Sequence, residues 1–427
     1  MSVRVRSATA LAPALGLFAA ASLVASLATP TTALATTATA TALTDTRSPT
    51  GWQQLSHAGP AAYPRLNNVD EPTLARIGTG LQVIWPVQIG ASQMNYETAI
   101  LNASGALTTR ATPIITGWTS LTADPRVVTI SGSQFLAFSG LRTTDASDPY
   151  ALGSEYSATS ADGLTWTLGA GAMSESTSAY ADYGNDAVDS AGTPVWVGNP
   201  GTVTGVRWQS GTASSIPAPP GTDGAFDLSG CCAYSAAAAR DNSTGAIVAA
   251  FYSNSSAASE QGIQVGQILP TSGGWTRAPG SAAIRAGQPT SLSPDQRIAM
   301  VSRPAGGVLV AYKVGYPTTS KIRVWQVGTH RTIDIPGSSQ ASKIAMASGP
   351  DGGVWVAWLA GSRVKIARVT AAGAVGRSII TWRAPSGTSS AWKIAASSGA
   401  PRRLDVVITA TGARGAINVW HRQAVVR

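Results

Sequence analysis

Two stretches of the chain align without a gap, RIAMVSRPAGGVLVAY at 297–312 and KIAMASGPDGGVWVAW at 343–358. Equivalent residues lie 46 positions apart, a period at which stacked repeat architectures are the first to consider. Each copy reads as a strand, a glycine-rich turn and a second strand apolar at nearly every position. In Val354-Trp355-Val356-Ala357-Trp358 both faces of the strand are hydrophobic, so both must be covered. Sheets stacked face to face around an axis supply that cover.

A third strand follows in each copy, as IRVWQV at 322–327 and VKIARV at 364–369. A fourth is expected to open with tryptophan, in GWTSL (117–121), TWTLG (165–169), GWTRAPG (274–280) and TWRAPSG (381–387). On this template first strands begin near Glu71, Arg126, Asn185, Tyr234, Arg297, Lys343 and Lys393. That makes seven units, the third (about 180–218) being the least regular. The last unit has three strands, ending with INVW at 417–420, and GWQQL at 51–55 supplies the missing fourth from the other end of the chain. Such closure removes the unpaired edges that an open stack would expose. The fold expected is all-β: a β-propeller of seven four-stranded blades, in which the N-terminal strand completes the last blade. A β-solenoid is the rival, and it would need shorter, more uniform rungs. Composition agrees: only 12% of residues are charged, with 45 glycines and 25 prolines, which suits short strands and tight turns rather than long helices.

Between the third and fourth strands of the second unit stands Ser160-Ala161-Asp162-Gly163-Leu164-Thr165-Trp166. It resembles the Asp-box of sialidase-like β-propellers, in which the aspartate ties a hairpin turn and the tryptophan packs between blades. The resemblance makes Asp162 a fold marker placed away from the ligand face, not an acid catalyst. Enzymes of that family bind a carboxylate with three arginines and use a Tyr/Glu pair with an aspartic acid. Their Arg-Ile-Pro text has its nearest counterpart here in Tyr63-Pro64-Arg65-Leu66, in another order, so no catalytic set is carried over.

Inner strands of a propeller begin at one mouth of its channel. Four of the seven expected starts are basic (Arg126, Arg297, Lys343, Lys393), and Glu71, Tyr183, Asn185 and Tyr234 fall on or beside the others. Converging cations focus potential toward the axis and favour a carboxylate or sulfate. The adjacent Cys231-Cys232 precede a first strand. Neighbouring Cα atoms lie about 3.8 Å apart, short of the usual disulfide span of roughly 4.4–6.8 Å, so a vicinal bond would be a strained, rigid platform at the mouth. All ten residues are candidate ligand contacts; free buried thiols and an intermolecular bridge are the alternatives at the cysteines.

Arg4 and Arg6 precede a charge-free stretch from Ser7 to Thr44, with Ala33-Leu34-Ala35 fitting a cleavage site. Residues 1–35 are expected to be a signal peptide, 36–50 a disordered Thr/Ala-rich leader, and 51–427 one propeller domain. The protein is then secreted, with no stable membrane insertion after cleavage, and monomeric. A net charge of +9 without a Lys/Arg-rich run suits anionic partners but not nucleic acid. His57, His330 and His421 have no metal-ligand spacing, and no cofactor is expected. The function favoured is binding of an extracellular glycan or another acidic ligand at the channel mouth. A sialidase-like hydrolase or polysaccharide lyase is one alternative, drawing on Glu71, Asp124, Glu155, Asp182, Tyr183 or Asp186. The other is a protein-interaction scaffold contacting through the loop at 139–155.

Overall fold

A computed structural model describes residues 51–56, 72–90, 92–121, 125–142, 154–169, 185–198, 205–210, 223–230, 233–281, 298–315, 318–376, 379–412 and 416–425. The expected signal peptide and leader lie outside the described residues. Among those described there is no helix and there are 29 strands. The first, β1 (Gln53–Gln54), belongs to the last blade.

Blade 1 holds β2 (Thr73–Ile77), β3 (Gly80–Gly90), β4 (Gln93–Leu101) and β5 (Leu107–Trp118). In blade 2, β6 (Ser120–Leu121) and β7 (Arg126–Ile130) share the inner edge of β8 (Ser133–Leu141), followed by β9 (Ser154–Ser160) and β10 (Thr167–Leu168). Blade 3 is the short one: β11 (Asn185–Val188), β12 (Pro194–Gly198), β13 (Val206–Ser210) and β14 (Asp223–Phe226). Blade 4 comprises β15 (Ala233–Arg240), β16 (Ile247–Ser253), β17 (Gly262–Leu269) and β18 (Ser272–Arg277). Blade 5 comprises β19 (Ile298–Ser302), β20 (Val308–Val314), β21 (Lys321–Gln326) and β22 (Thr332–Ile335). Blade 6 comprises β23 (Lys343–Ser348), β24 (Val354–Ala360), β25 (Arg363–Val369) and β26 (Ile380–Arg383). Blade 7 is built from β27 (Ser390–Ala400), β28 (Arg403–Thr411), β29 (Ile417–Val425) and, outermost, β1. The fold is a seven-bladed propeller of antiparallel four-stranded sheets, as the repeat implies.

Strand β24 shows why the repeat demanded this stacking. Val354, Val356 and Trp358 pack with Ala311, Ile322 and Val324 of blade 5, while Trp355, Ala357 and Leu359 pack with Ile394, Leu404 and Val406 of blade 7. Alternate side chains thus enter two different cores, which is the strand period of two applied to a sheet covered on both sides.

Two details differ from the sequence reading. Trp118 ends the fourth strand of blade 1 rather than opening it. The Asn102 side chain accepts the backbone N–H groups of Ser104 and Ala106 at 2.9 and 3.0 Å and closes a hairpin there. The strand therefore starts at Leu107 and delivers Trp118 to Phe138 and Tyr156 of blade 2. The outer strand of blade 3, at Asp223–Phe226, lies beyond the expected end near 218.

Closure joins the ends of the chain. Gln53 pairs with His421 and Gln54 with Trp420. Trp52 is fully buried, donates its indole N–H to the Arg383 carbonyl at 2.8 Å and meets Trp382 edge-on at 5.6 Å. The Arg422 guanidinium covers the Trp382 ring at 4.5 Å. On the other side, blade 7 is latched to blade 1 through Asp405. Its Oδ2 accepts Arg76 Nη2 at 2.7 Å, and Oδ1 lies 2.9 Å from both His421 Nε2 and Gln423 Nε2. Burial alone would raise this carboxyl. The hydrogen bond and charge of His421 and the charge of Arg76 outweigh burial and hold it at about 2.

Replacing Trp52 by alanine should destabilise the protein by about 3–5 kcal/mol, as removal of a buried tryptophan does; urea unfolding followed by fluorescence measures it. Asp405→Ala should cost about 3–5 kcal/mol, because Arg76 is left as an uncompensated charge at a buried seam. Because the Asp405 pKa is depressed on folding, its stabilisation is complete above the ordinary carboxylate value of 3.8. It is lost as the pH falls through about 2. Melting curves between those limits should therefore slope less in Asp405→Ala than in the parent.

Candidate functional site

Side-chain bonds from blade to blade establish which strand ends share a face. Thr129 Oγ1 donates to the Arg76 carbonyl at 2.9 Å, Arg240 Nη1 to the Asp189 carbonyl at 3.0 Å, and Ser348 Oγ to the Ser302 carbonyl at 2.7 Å. Arg76 Nε reaches Ser397 Oγ at 3.0 Å, and the Asn242 N–H reaches Ser302 Oγ at 2.9 Å. All of these lie at or near the ends of inner strands, so the inner strands end together at one mouth. Their starts share the opposite mouth, where the sequence placed the ligand.

The Ser160–Trp166 turn stands on the strand-end side. Asp162 Oδ1 accepts the N–H groups of Leu164 (2.8 Å) and Thr165 (2.7 Å), and Ser160 Oγ accepts that of Gly163 (2.8 Å). Gly163 has φ +76°, and a Cβ there would meet Gln134 and Ile77, so glycine is required twice over. The backbone bond from Thr165, then that from Leu164, holds the Asp162 carboxyl at about 2. Trp166 packs against the core shared by blades 1 and 2. A carboxylate so occupied is a turn brace, not a proton donor near neutral pH.

At the strand-start mouth, Lys343 opens β23 and is half-buried. Lys393 is only 4% exposed, on a strand that bulges between Ala391 and Lys393. Lys313, also buried, donates to the carbonyl of Ser342, next to Lys343, at 2.7 Å. Sequence reasoning missed Lys313, although the signal was there. It follows directly on the aligned repeat, at the position where the next copy has Leu359. The second omission is Trp392, the residue extruded by the bulge. It is 43% exposed, and its indole N–H is tied to Thr411 Oγ1.

The other candidates divide. Tyr234 is buried, and its ring belongs to the core between blades 4 and 5 rather than to the open mouth. The register breaks between Tyr234 and Ala237, and Ser235 sits in left-handed backbone at φ +53°, which turns this stretch out of simple alternation. Arg126 begins β7 and is half-buried. Its side chain lines a channel cavity of about 180 Å³ together with Arg240, Asn242 and Ser302. Asn185 opens β11, but its side chain lies outside the described residues, as do those of Glu155 and Asp186. Glu71, Asp124, Asp182, Tyr183, Cys231, Cys232 and Arg297 lie wholly outside them.

The segment leading to the cysteines is anchored at the strand-start side. Glu260 accepts the backbone N–H and the hydroxyl of Ser229, each at 2.8 Å, and the Ser255 hydroxyl at 2.6 Å. The Ser255 bond is the main reason that the Glu260 carboxyl lies below its ordinary value. Glu260 thereby ties the approach to β15 to the β16–β17 connection. Among the described residues no group of three or more His, Cys, Asp or Glu side chains converges as a metal site.

No protein-family model matches the chain, and no curated protein matches it in sequence. In solved structures the fold is similar to virginiamycin B lyase from Staphylococcus aureus, with TM-score 0.44 and 11% identity over 84% of this chain and 97% of that one. It is also similar to the fucose-specific lectin of Aleuria aurantia (0.41, 11%, 83% and 91%) and to a GH43_1 enzyme from Xanthomonas citri (0.34, 8%, 86% and 91%).

Asp162→Ala should lower the melting temperature and speed amide exchange at Leu164 and Thr165, while leaving exchange in β23 and β27 unchanged. Thermal melts and hydrogen-exchange mass spectrometry on the same sample check both halves.

Proposed function

We propose that this protein is an exported propeller, its first 35 residues a signal peptide, that binds an acidic glycan across the mouth where its inner strands begin. The observation that carries the reading is Trp392. Among the described residues it is the one aromatic counted with the exposed large hydrophobics. Its position is fixed by a bulge and by the Thr411 hydroxyl rather than left to rotate. An indole held in water offers an apolar face on which the C–H face of a sugar ring stacks, while its edge remains polar. Lys393 follows it directly but is buried, and half-buried Lys343 opens the neighbouring inner strand. A flat platform with a cation on the neighbouring strand suits a sugar carrying a carboxylate or sulfate.

Glycan-array screening of residues 44–427, run beside a fluorogenic sialoside assay, tests the proposal. Acidic glycans should be retained and the sialoside left uncleaved. Trp392→Ala should weaken the best acidic glycan by roughly tenfold, equivalent to about 1.4 kcal/mol. Lys343→Ala should weaken it and flatten its salt dependence, with little change for neutral glycans. Sialoside turnover, or glycan binding indifferent to Trp392, would overturn the reading.

A further inference from the structure

The channel cavity raises a separate question, because its position is not the one the strand starts define. Its walls come from four successive blades. Val128 lies on β7, Val188 at the end of β11, Ala239 and Arg240 at the end of β15, and Met300 and Ser302 on β19. Apart from Arg126, which lies at the start of β7, the lining is drawn from the middle and the ends of inner strands and from the turn beyond β15. The cavity therefore belongs to the strand-end half of the channel.

Among the described residues two arginines, Arg126 and Arg240, line the cavity, and no aspartate or glutamate does. Asp189 and Asp241, each next to a lining residue, are committed to turns. Asp189 Oδ1 accepts the N–H groups of Ala191 and Thr193, both at 2.8 Å. Asp241 Oδ1 accepts the N–H and hydroxyl of Ser243 and the N–H of Gly307. Arg240 is steadied by a neutral partner, the Asp189 carbonyl, and among the described residues it forms no ion pair. A guanidinium positioned by a carbonyl in a partly enclosed space keeps donors and charge for an incoming anion. The remaining lining is mostly valine, alanine and methionine, which water wets poorly. A cavity of about 180 Å³ has room for several waters or for one compact organic molecule.

We propose that the strand-end half of the channel is a binding site for a small monocarboxylate with an apolar body, its carboxylate held by Arg240 and its body against Val128, Val188 and Met300. The site goes beyond the saccharide face, since most of its lining lies toward the strand ends and it uses neither Trp392 nor the lysines near it.

Benzoate is a suitable probe. Isothermal titration of the full chain with sodium benzoate should give saturable binding in the millimolar range or tighter. Benzamide keeps the ring without the charge, and sulfate keeps the charge without the ring; each should bind at least about tenfold more weakly. Arg240→Gln, which retains a donor for the Asp189 carbonyl, should weaken benzoate by a similar factor. Ala239→Leu fills the cavity while leaving both arginines in place, and should abolish binding with an unchanged circular dichroism spectrum. Trp392→Ala should bind benzoate as the parent does. Absence of benzoate binding, equal binding of benzamide or sulfate, insensitivity to both cavity variants, or loss in Trp392→Ala would each overturn the proposal. Glycan binding that survives when benzoate fails refutes the channel site alone.

Discussion

A four-stranded antiparallel sheet presents two rows of unpaired backbone groups and two faces that water wets badly. Stacking seven sheets in a ring covers the faces, but the ring holds only if its last blade is complete. Here completion depends on two paired residues, Gln53 and Gln54, laid against β29. Two residues of ladder are weak by themselves. They are held because Trp52, just before them, is sealed between blades 6 and 7 against Trp382, and because Leu55, just after them, is buried with Val407 and Val419 and with Leu81 and Val83 of blade 1. Asp405, in contact with Arg76, His421 and Gln423, then binds the completed blade to the first. Every other inter-blade seam described here is stitched by residues close to regular strands. This one alone has to join segments from opposite ends of the sequence.

The architecture was legible because the sequence repeats the features that stacking requires. The doubly apolar second strand appears twice in register, and GWQQL has the form of an outer strand lacking a blade. Boundaries were less legible where a side chain, not hydropathy, decides them. Asn102 closes a hairpin that makes β5 long and moves Trp118 to the end of its strand, whereas the tryptophan pattern suggested the reverse. At the candidate site the sequence named basic strand starts but not the bulge that sets what stands beside them. Strand starts do carry lysines at one mouth. Yet a β-bulge decides which of Trp392 and Lys393 is exposed, and it exposes the tryptophan. Bulges have no simple text. Tyr234 illustrates the same lesson, since the shift in register beside it accompanies a ring buried between blades.

The two mouths are chemically different. At the strand starts, ammonium groups are anchored to the frame, as Lys313 is to the Ser342 carbonyl, and a fixed indole stands beside them. Toward the strand ends, Arg240 shares a cavity with valine and methionine. Lysine presents a compact, strongly hydrated charge, while arginine presents a planar, weakly hydrated fork that tolerates an apolar setting.

The closing strand also has a consequence for how the molecule comes into being. The Ser56–Val419 bond at the seam joins residues 363 positions apart, so a chain emerging from the ribosome N-terminus first must carry β1 through the synthesis of nearly everything else before its partner exists. During that interval six blades lack a closed ring, and the apolar face of blade 1 that will meet blade 7 stands open to whatever else is nearby. Contacts this distant in sequence form late and slowly. Newly made molecules therefore pass through an unclosed, association-prone stage, whose length is set by elongation rather than by any step of local strand formation.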